Sequence, residues 1–416
     1  MPEAAPLRVL KFGGTALATP ERRQRAVDEI LRQAQAGVRL VVVVSALGRR
    51  GAPYATDTLL ELMREAPQAP ARECDAAAAC GEALSAALMA ALLAARGRPA
   101  ISLRGFQAGI VTDEHHGRAC IREIRTARLT QELARGRIVV VAGYQGITAA
   151  GDVSTLGRGG SDTTAVALGV VLGASQVVIY TDVPGVMSAD PRTVPDAHPV
   201  REITFDESAE LTFKGADVLH PRAAELARQV RTAVVVRSAA AAGQDELEGE
   251  GTWLVAGEGS RLELAAGECA VAVTSRSGIA QVQVGDAHLR DDPGVAAGLF
   301  GAIAQRGVTL DMMSVGPERI AFTCELAALD EVRAALDALG LEHACDPRCA
   351  KVTLVGAGIH GVPGVMYRMV RALAESGIRV LQSVDSNMII GVLVAAEHEA
   401  AAVRAVHAEF FPPPPA

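Results

Sequence analysis

Aromatic side chains make up only 3% of the 416 residues, with a single Trp. A core with so few rings has to be aliphatic; half of the chain is apolar, much of it Ala. Positive charge is short too: 40 Lys and Arg stand against 48 Asp and Glu, a formal charge of −8. With no Lys/Arg block either, the basic surface that nucleic-acid backbones require is excluded. The seven Cys are odd in number and form no CxxC pair, which indicates neither a disulfide framework nor a zinc knuckle. Cys345 and Cys349, with His343 and His360 nearby, are too loosely spaced to demand a metal, and small hydrophobes in a reducing cytosol account for them. No metal ligand is assigned. The N-terminus lacks the charged and apolar regions of a signal peptide. The longest helix-like apolar run, Ala83–Ala95, is too short for a bilayer and carries polar interruptions. The expectation is a cytoplasmic chain with neither membrane nor nucleic-acid partner.

At about 100–200 residues per domain, the length implies two to four domains. Residues 1–240 alternate strand-like and helix-like segments. Val38–Ser45 is an almost unbroken β-branched run, as expected of a strand covered on both faces. Leu7–Leu10, Pro99–Leu103, Ile138–Ala142, Gln176–Thr181 and Thr232–Arg237 read likewise. Helical patterns fill the intervals at Pro20–Ala36, Cys74–Ala95, Ala119–Ala134, Asp162–Leu172, Phe205–Phe213 and Pro221–Val230. This alternation specifies an α/β domain with a mainly parallel sheet. Residues 241–264 form an acidic, Ala/Gly/Glu-rich linker, whose segment Thr252–Val255 is a candidate strand docking back on the first domain. Beyond it the pattern repeats at about 70-residue spacing. Asp292-Pro293-Gly294-Val295 and Val362-Pro363-Gly364-Val365 each precede a helix, a Gly, two strands and a further helix. The repeat implies two βαββαβ units, at 265–342 and 343–416, and the opening strand of the first can pair within the second.

Chemistry concentrates in a few places. Lys11-Phe12-Gly13-Gly14-Thr15 ends a strand and feeds a helix. Glycines let backbone N–H groups approach an anion, the helix N-terminus adds its dipole, and Lys adds a point charge. A plain Gly-Gly turn is the other reading. Arg158-Gly-Gly-Ser161-Asp162 opens another helix. Capping alone explains Asp162, but not Arg158, whose planar fork suits carboxylate or phosphate. Thr181-Asp182 follows a strand, where α/β sheets bind ligands, and starts a loop running through Met187 to Asp190-Pro191-Arg192. Asp190-Pro191 also reads as a simple turn initiator. Glu82 lies in an Ala/Cys-rich helix, and a carboxylate among apolar neighbours needs a partner. A ligand ammonium would supply one.

These motifs, with Val44-Ser45-Ala46, Thr56-Asp57, Tyr180-Thr-Asp-Val-Pro-Gly185 and Leu219-His-Pro-Arg222, occur along nearly the whole chain in one order. Together they resemble the aspartokinases of the amino-acid kinase family, and the repeated C-terminal units resemble a tandem pair of ACT domains. The resemblance implies an αβα sandwich with a mainly parallel sheet followed by two α+β ferredoxin-like ACT units. It implies ATP-dependent phosphorylation of the L-aspartate side-chain carboxylate to 4-phospho-L-aspartate, the entry to lysine, threonine, methionine and diaminopimelate. It assigns Lys11 and Asp162 to catalysis, and Thr56, Glu82, Arg158 and Ser161 to aspartate. It assigns Lys11, Phe12, Gly13, Gly14, Ser45, Thr181, Asp182, Met187, Asp190 and Arg192 to the nucleotide, with Mg2+ carried on the ATP phosphates. Two departures stand out. Ala16 occupies a position where the family often has Ser, and Asp217 one where many members have a Lys that approaches ATP; Lys214 lies three residues earlier.

ACT units usually bind amino acids where the Pro-Gly loop meets a neighbouring unit. That points to Asp292, Pro293, Gly294, Val295, Asp311 and Met312, and to Val362, Pro363, Gly364, Val365, Ser386 and Asn387. Pro-Gly before a helix is equally a good N-terminal turn. Leu381–Asn387, Val355–Gly364 and Gly48–Asp57 look more like the diaminopimelate-sensitive Bacillus-type enzymes, and lysine, threonine and diaminopimelate all stay open as effectors. ACT edge strands usually pair between chains, which implies a homodimer. The competing readings are another amino-acid kinase, such as acetylglutamate or uridylate kinase, and a catalytically inactive amino-acid sensor.

Overall fold

The computed structural model describes residues 5–213, 221–230, 233–240, 242, 251–255, 270–285, 293–357, 359 and 362–412. They form two compact units. The first holds 5–187, 199–212, 221–230, 233–240 and 251–255; the second holds Ser188–His198, 270–285, 293–357 and 362–412.

In the first unit the chain runs β1 (Leu7–Phe12), α1 (Pro20–Gln35), β2 (Arg39–Val44), α2 (Thr56–Leu62), α3 (Ala71–Ala78), α4 (Cys80–Ala95), β3 (Ala100–Leu103), β4 (Ile110–Thr112), β5 (Ile121–Ile124), α5 (Ala127–Ala134), β6 (Ile138–Ala142), β7 (Gln145–Ile147), β8 (Val153–Thr155), α6 (Gly160–Val171), β9 (Gln176–Thr181), β10 (Glu202–Thr204), α7 (Phe205–Phe213), α8 (Pro221–Val230), β11 (Val234–Ser238) and β12 (Thr252–Val255). An eight-stranded sheet has the order β10-β12-β11-β9-β1-β2-β6-β3. All its pairings are parallel except β11 with β12. The central strands are buried along almost their whole length, which is why β2 and β6 read as unbroken Val runs rather than alternating ones. Thr252–Val255 joins this sheet as β12, as its sequence suggests; the rest of the linker lies outside the described residues.

Two expectations change. Ala119–Ala134 is not one helix: β5 and α5 share it. β5 joins β4, β7 and β8 in a small second sheet of order β5-β4-β7-β8, whose strands of three or four residues are too short for a periodicity signal. The apolar helical stretch is also longer than Ala83–Ala95. α3 and α4 make a run of 25 residues, Ala71–Ala95, long and apolar enough to cross a membrane by length and composition. Half of that apolar window is buried within the fold, where α4 packs on β3, β6 and α1, as a core helix does.

The second unit comprises β13 (Ala272–Gly285), α9 (Pro293–Ala304), β14 (Leu310–Val315), β15 (Arg319–Glu325), α10 (Leu329–Ala338), β16 (His343–Val355), α11 (Val365–Glu375), β17 (Gln382–Asp385), β18 (Ile389–Ala395) and α12 (Glu399–Phe410). One antiparallel sheet of six strands, β14-β15-β13-β16-β18-β17, carries both repeats. β13 and β16 run side by side with an irregularity between Arg276 and Gln281. Before it Val273 packs in the core of the second repeat; after it Ala280, Val282 and Val284 pack in that of the first. Ser188–His198 belongs here as well. Ala189 and Val194 enter the second repeat's core, the Val273 N–H donates to the Ser188 carbonyl at 2.7 Å, and Ser188 Oγ lies 2.9 Å from His407 Nε2 of α12.

Candidate active site

The first unit gathers polar groups at the C-terminal ends of β1, β2, β6 and β9, where parallel sheets bind ligands. Lys11, only 9% exposed near the end of β1, places Nζ 2.6 Å from Asp162 Oδ1 in the first turn of α6. A buried ammonium requires such a carboxylate. Gly14 is required by close approach: a Cβ there would lie 2.5 Å from the Gly48 carbonyl oxygen and 2.7 Å from that of Ala46. Its carbonyl accepts from Gly48 N–H at 3.0 Å, and the Gly14 N–H meets no acceptor among the described residues. The Gly13 N–H, in contrast, donates to the Tyr180 carbonyl at 3.3 Å, so Gly13 does not supply the free donor its motif suggests. Phe12 is fully buried and stacks on Tyr180, which makes it part of the core rather than of a nucleotide surface. Ala16 packs in the same core cluster, so the missing hydroxyl costs the cleft nothing at that position.

Glu82, 2% exposed on α4, accepts at Oε1 from the Ala46 N–H and from Thr56 Oγ1, both at 3.2 Å. Its Oε2 is buried with no partner among the described residues. Burial pushes the carboxyl up to about 7 from the usual 4.5, against hydrogen bonds that lower it. An orphaned carboxylate oxygen next to Thr56 is suited to a cation. Ser161 is buried beside Asp162, and Arg158 is exposed just ahead of α6. Ser45 follows β2, its N–H donating to the Phe12 carbonyl at 3.1 Å. Thr181 ends β9, with its carbonyl accepting from Ala239 N–H at 2.7 Å. Asp182 pairs with Arg49 at 2.9 Å, and Met187 bridges Pro199.

Asp190 and Arg192 are not brought to this cleft's unit. They lie in the second unit, where Arg192 pairs with Asp190 at 2.6 Å and the Asp190 carboxylate accepts the Arg192 N–H at 2.9 Å. This is the turn that Asp-Pro initiates. Lys214 and Asp217 lie outside the described residues. Of the effector candidates, Asp292 does too. Pro293, Gly294 and Val295 open α9. Asp311 pairs with the buried Lys351 at 2.5 Å; Met312 has a left-handed backbone, φ 47°, and its carbonyl accepts from Gln382. Val362 and Pro363 precede Gly364, which caps α11, while Val365 is buried in the core. Ser386 and Asn387 are exposed in the β17–β18 turn.

Sequence reading gave no role to three residues that support the cleft. Tyr144, next to β6, holds a positive φ of 69°, an uncommon state for a bulky side chain and one that concentrates at functional sites. Tyr180 opens the motif Tyr180–Gly185 but was given no role of its own, and Asp75 carries no motif and looks like one more acid on a surface helix.

Residues 6–238 match the model of the amino acid kinase family, and 286–340 and 352–410 each match an ACT domain. The aspartokinase 1 of Bacillus subtilis is 38% identical over 96% of this chain and 97% of its own length. The chain belongs to the aspartokinase family. The family's Thermus thermophilus member is 37% identical over 97% of this chain and 98% of its own. Among solved structures, E. coli aspartokinase III in complex with aspartate and ADP superposes with a TM-score of 0.76 at 25% identity, covering 97% of this chain and all of the other. The protein is accordingly an enzyme, a kinase, with two ACT domains.

Proposed function

We propose that the protein transfers the γ-phosphoryl group of ATP to the side-chain carboxylate of L-aspartate, giving 4-phospho-L-aspartate and ADP. The observation that carries this is the Lys11–Asp162 pair in the same unit as a buried Glu82 whose Oε2 has no partner among the described residues: a phosphate cation and an ammonium acceptor. Glu82 and Thr56 take the substrate ammonium side, Arg158 and Ser161 its carboxylate side. A carboxylate oxygen of the substrate attacks the γ-phosphorus, the bond to the bridging oxygen breaks, and ADP leaves with that electron pair. Both reacting groups are ionised near pH 7, so no base is needed. The work of the protein is positioning and charge neutralisation. Lys11 neutralises phosphate charge in transit, Asp162 orients Lys11, and Gly14 lends its N–H. Thr181, Asp182, Ser45 and Met187 border the nucleotide, and Mg2+ is held by the phosphates. The E. coli relative solved with aspartate and ADP supports this reading.

The same reading takes the domains as 1–240, 241–264, 265–342 and 343–416 and places the enzyme in the cytoplasm. Its product feeds lysine, threonine, methionine and diaminopimelate synthesis. An amino-acid effector (lysine, threonine or diaminopimelate) acts through the ACT units; E. coli aspartokinase III is also known in complex with lysine and aspartate. A homodimer forms through the C-terminal sheet, whose edge strand β14 exposes Met313 and Val315. The deciding experiment measures ATP consumption with hydroxylamine trapping of the acyl phosphate, comparing L-aspartate, L-glutamate and N-acetylglutamate. Trapped aspartyl hydroxamate is the expected product. Its absence with all three overturns the reading in favour of an inactive amino-acid sensor.

A further inference from the structure

Asp75 is 2% exposed on α3, and its carboxylate gathers donors from two separate segments. Oδ2 accepts the Thr155 N–H at 2.9 Å and lies 2.8 Å from His116 Nδ1. Oδ1 accepts the Thr155 hydroxyl at 2.5 Å. The Gly117 N–H reaches both oxygens, at 3.0 and 3.1 Å. Thr155 is the last residue of β8, three positions before Arg158. The 116–117 segment supports the same loop from outside: a Cβ on Gly157 would lie 2.9 Å from the Gly117 carbonyl oxygen. The Ala119 N–H donates to the Thr155 carbonyl at 2.8 Å.

Arg158 stands between Gly157 and Gly159, both with left-handed backbones at φ 75° and 69°. Two flanking glycines supply little stiffness of their own, so where the guanidinium points depends on what anchors the loop base. The anchor is one carboxylate that ties α3, the 116–117 segment and the end of β8 together. The lost hydrogen bonds of a purely structural buried Asp would show as stability alone; here the tether leads directly to the loop that presents Arg158.

We infer that Asp75 is a positioning residue that aims Arg158 at the carboxylate of the amino-acid substrate, an inference that rests on the aspartate-kinase reading of the cleft. Steady-state kinetics on the full chain test it. Asp75→Asn keeps the volume but turns an amide N–H2 toward donors, and raises KM for L-aspartate by about tenfold or more, with KM for ATP within about twofold and kcat little changed. Thr155→Val raises the same KM in the same direction, and Thr155→Ser, which keeps the hydroxyl, restores it. An unchanged KM for aspartate, or equal rises for both substrates, overturns the role. If Asp75→Asn does not fold, the Thr155→Val and Thr155→Ser pair decides by the same split. Wild-type enzyme that consumes no ATP with aspartate overturns the parent reading; active wild type with unmoved variants overturns only the positioning role.

Discussion

Phe12 and Tyr180 stack face to face, their ring centroids 4.6 Å apart and their planes 3° from parallel. They are register partners on the adjacent parallel strands β1 and β9, and the next N–H along, that of Gly13, donates to the Tyr180 carbonyl. Behind the rings the Tyr180 hydroxyl donates to Glu29 of α1 at 2.7 Å. Burial first, and then the Glu29 charge, raise the Tyr180 hydroxyl well above its ordinary range. Although burial opposes it, hydrogen bonds from Arg32, Gln33 and Tyr180 hold the Glu29 carboxyl below the usual value. In a chain poor in aromatics, this pair and its carboxylate fix the end of β1 that carries Lys11.

Tyr180→Phe removes one of the donors to a fully buried carboxylate and leaves those of Arg32 and Gln33. A loss of about 1–3 kcal/mol in stability is expected, read as a lower urea midpoint with an unchanged slope. A midpoint equal to wild type would mean that the hydroxyl contributes nothing.

Lys11→Ala leaves the cleft without its phosphate cation and Asp162 without its 2.6 Å partner. A fall in kcat of about 100-fold or more is expected, the scale of removing one group that stabilises transition-state charge. ADP release at saturating substrates measures it, and near-wild-type turnover would remove Lys11 from the mechanism.

Glu82 gives a pH signature. Its folded value, about 7, lies above the unfolded 4.5. Between those values the folded state holds more protons, so this group's contribution to stability falls as pH rises from 4.5 to 7. Glu82→Gln is expected to be more stable than wild type at pH 8, by up to roughly 3 kcal/mol, with the gain shrinking toward pH 4.5. Because the ionised form is the one that binds an ammonium, kcat/KM for aspartate should rise with pH and level off above about 7, and the Gln variant should lack that step. A flat wild-type profile would contradict the role.

Gly13→Ala and Gly14→Ala should differ. A Cβ on Gly13 meets nothing closer than Lys11 Nζ at 3.5 Å, while one on Gly14 runs into two backbone carbonyls. Gly13→Ala should therefore melt near the wild-type temperature, and Gly14→Ala several degrees lower, with its activity impaired. Thermal unfolding of the two side by side checks this; equal melting temperatures would show that the loop yields.

The architecture was legible wherever burial imposes a pattern. The Val runs of β2 and β6 announce strands covered on both faces, and the two Pro-Gly repeats announce two like units, though not that one six-stranded sheet carries both. The helices Phe205–Phe213 and Pro221–Val230 were read to the residue. The short strands β4, β5, β7 and β8 were not legible: three or four residues cannot show a period, and β5 was absorbed into a helix-like stretch. In the candidate site, Lys11, Ser161 and Asp162 stood out because charge and glycine where strands meet helices are chemically conspicuous, and Glu82 because it is a carboxylate in an apolar helix. Asp75, Tyr144 and Tyr180 were not, since their importance lies in partners 41 to 151 positions away or in a backbone angle.

Sequence alone determined the order of the parts and the kind of chemistry. Residue type and spacing decide whether a strand can be buried, whether a turn can cradle an anion, and whether a repeat is present, and all of these are local properties of the chain. Only the tertiary structure decided which groups meet. It joined Lys11 to Asp162 and left Glu82 Oε2 without a partner among the described residues. It took Asp190 and Arg192 into the second unit, and it moved Phe12 from the nucleotide to the core. Those outcomes depend on distances between segments far apart in sequence, which burial of the whole fold sets and no local pattern encodes.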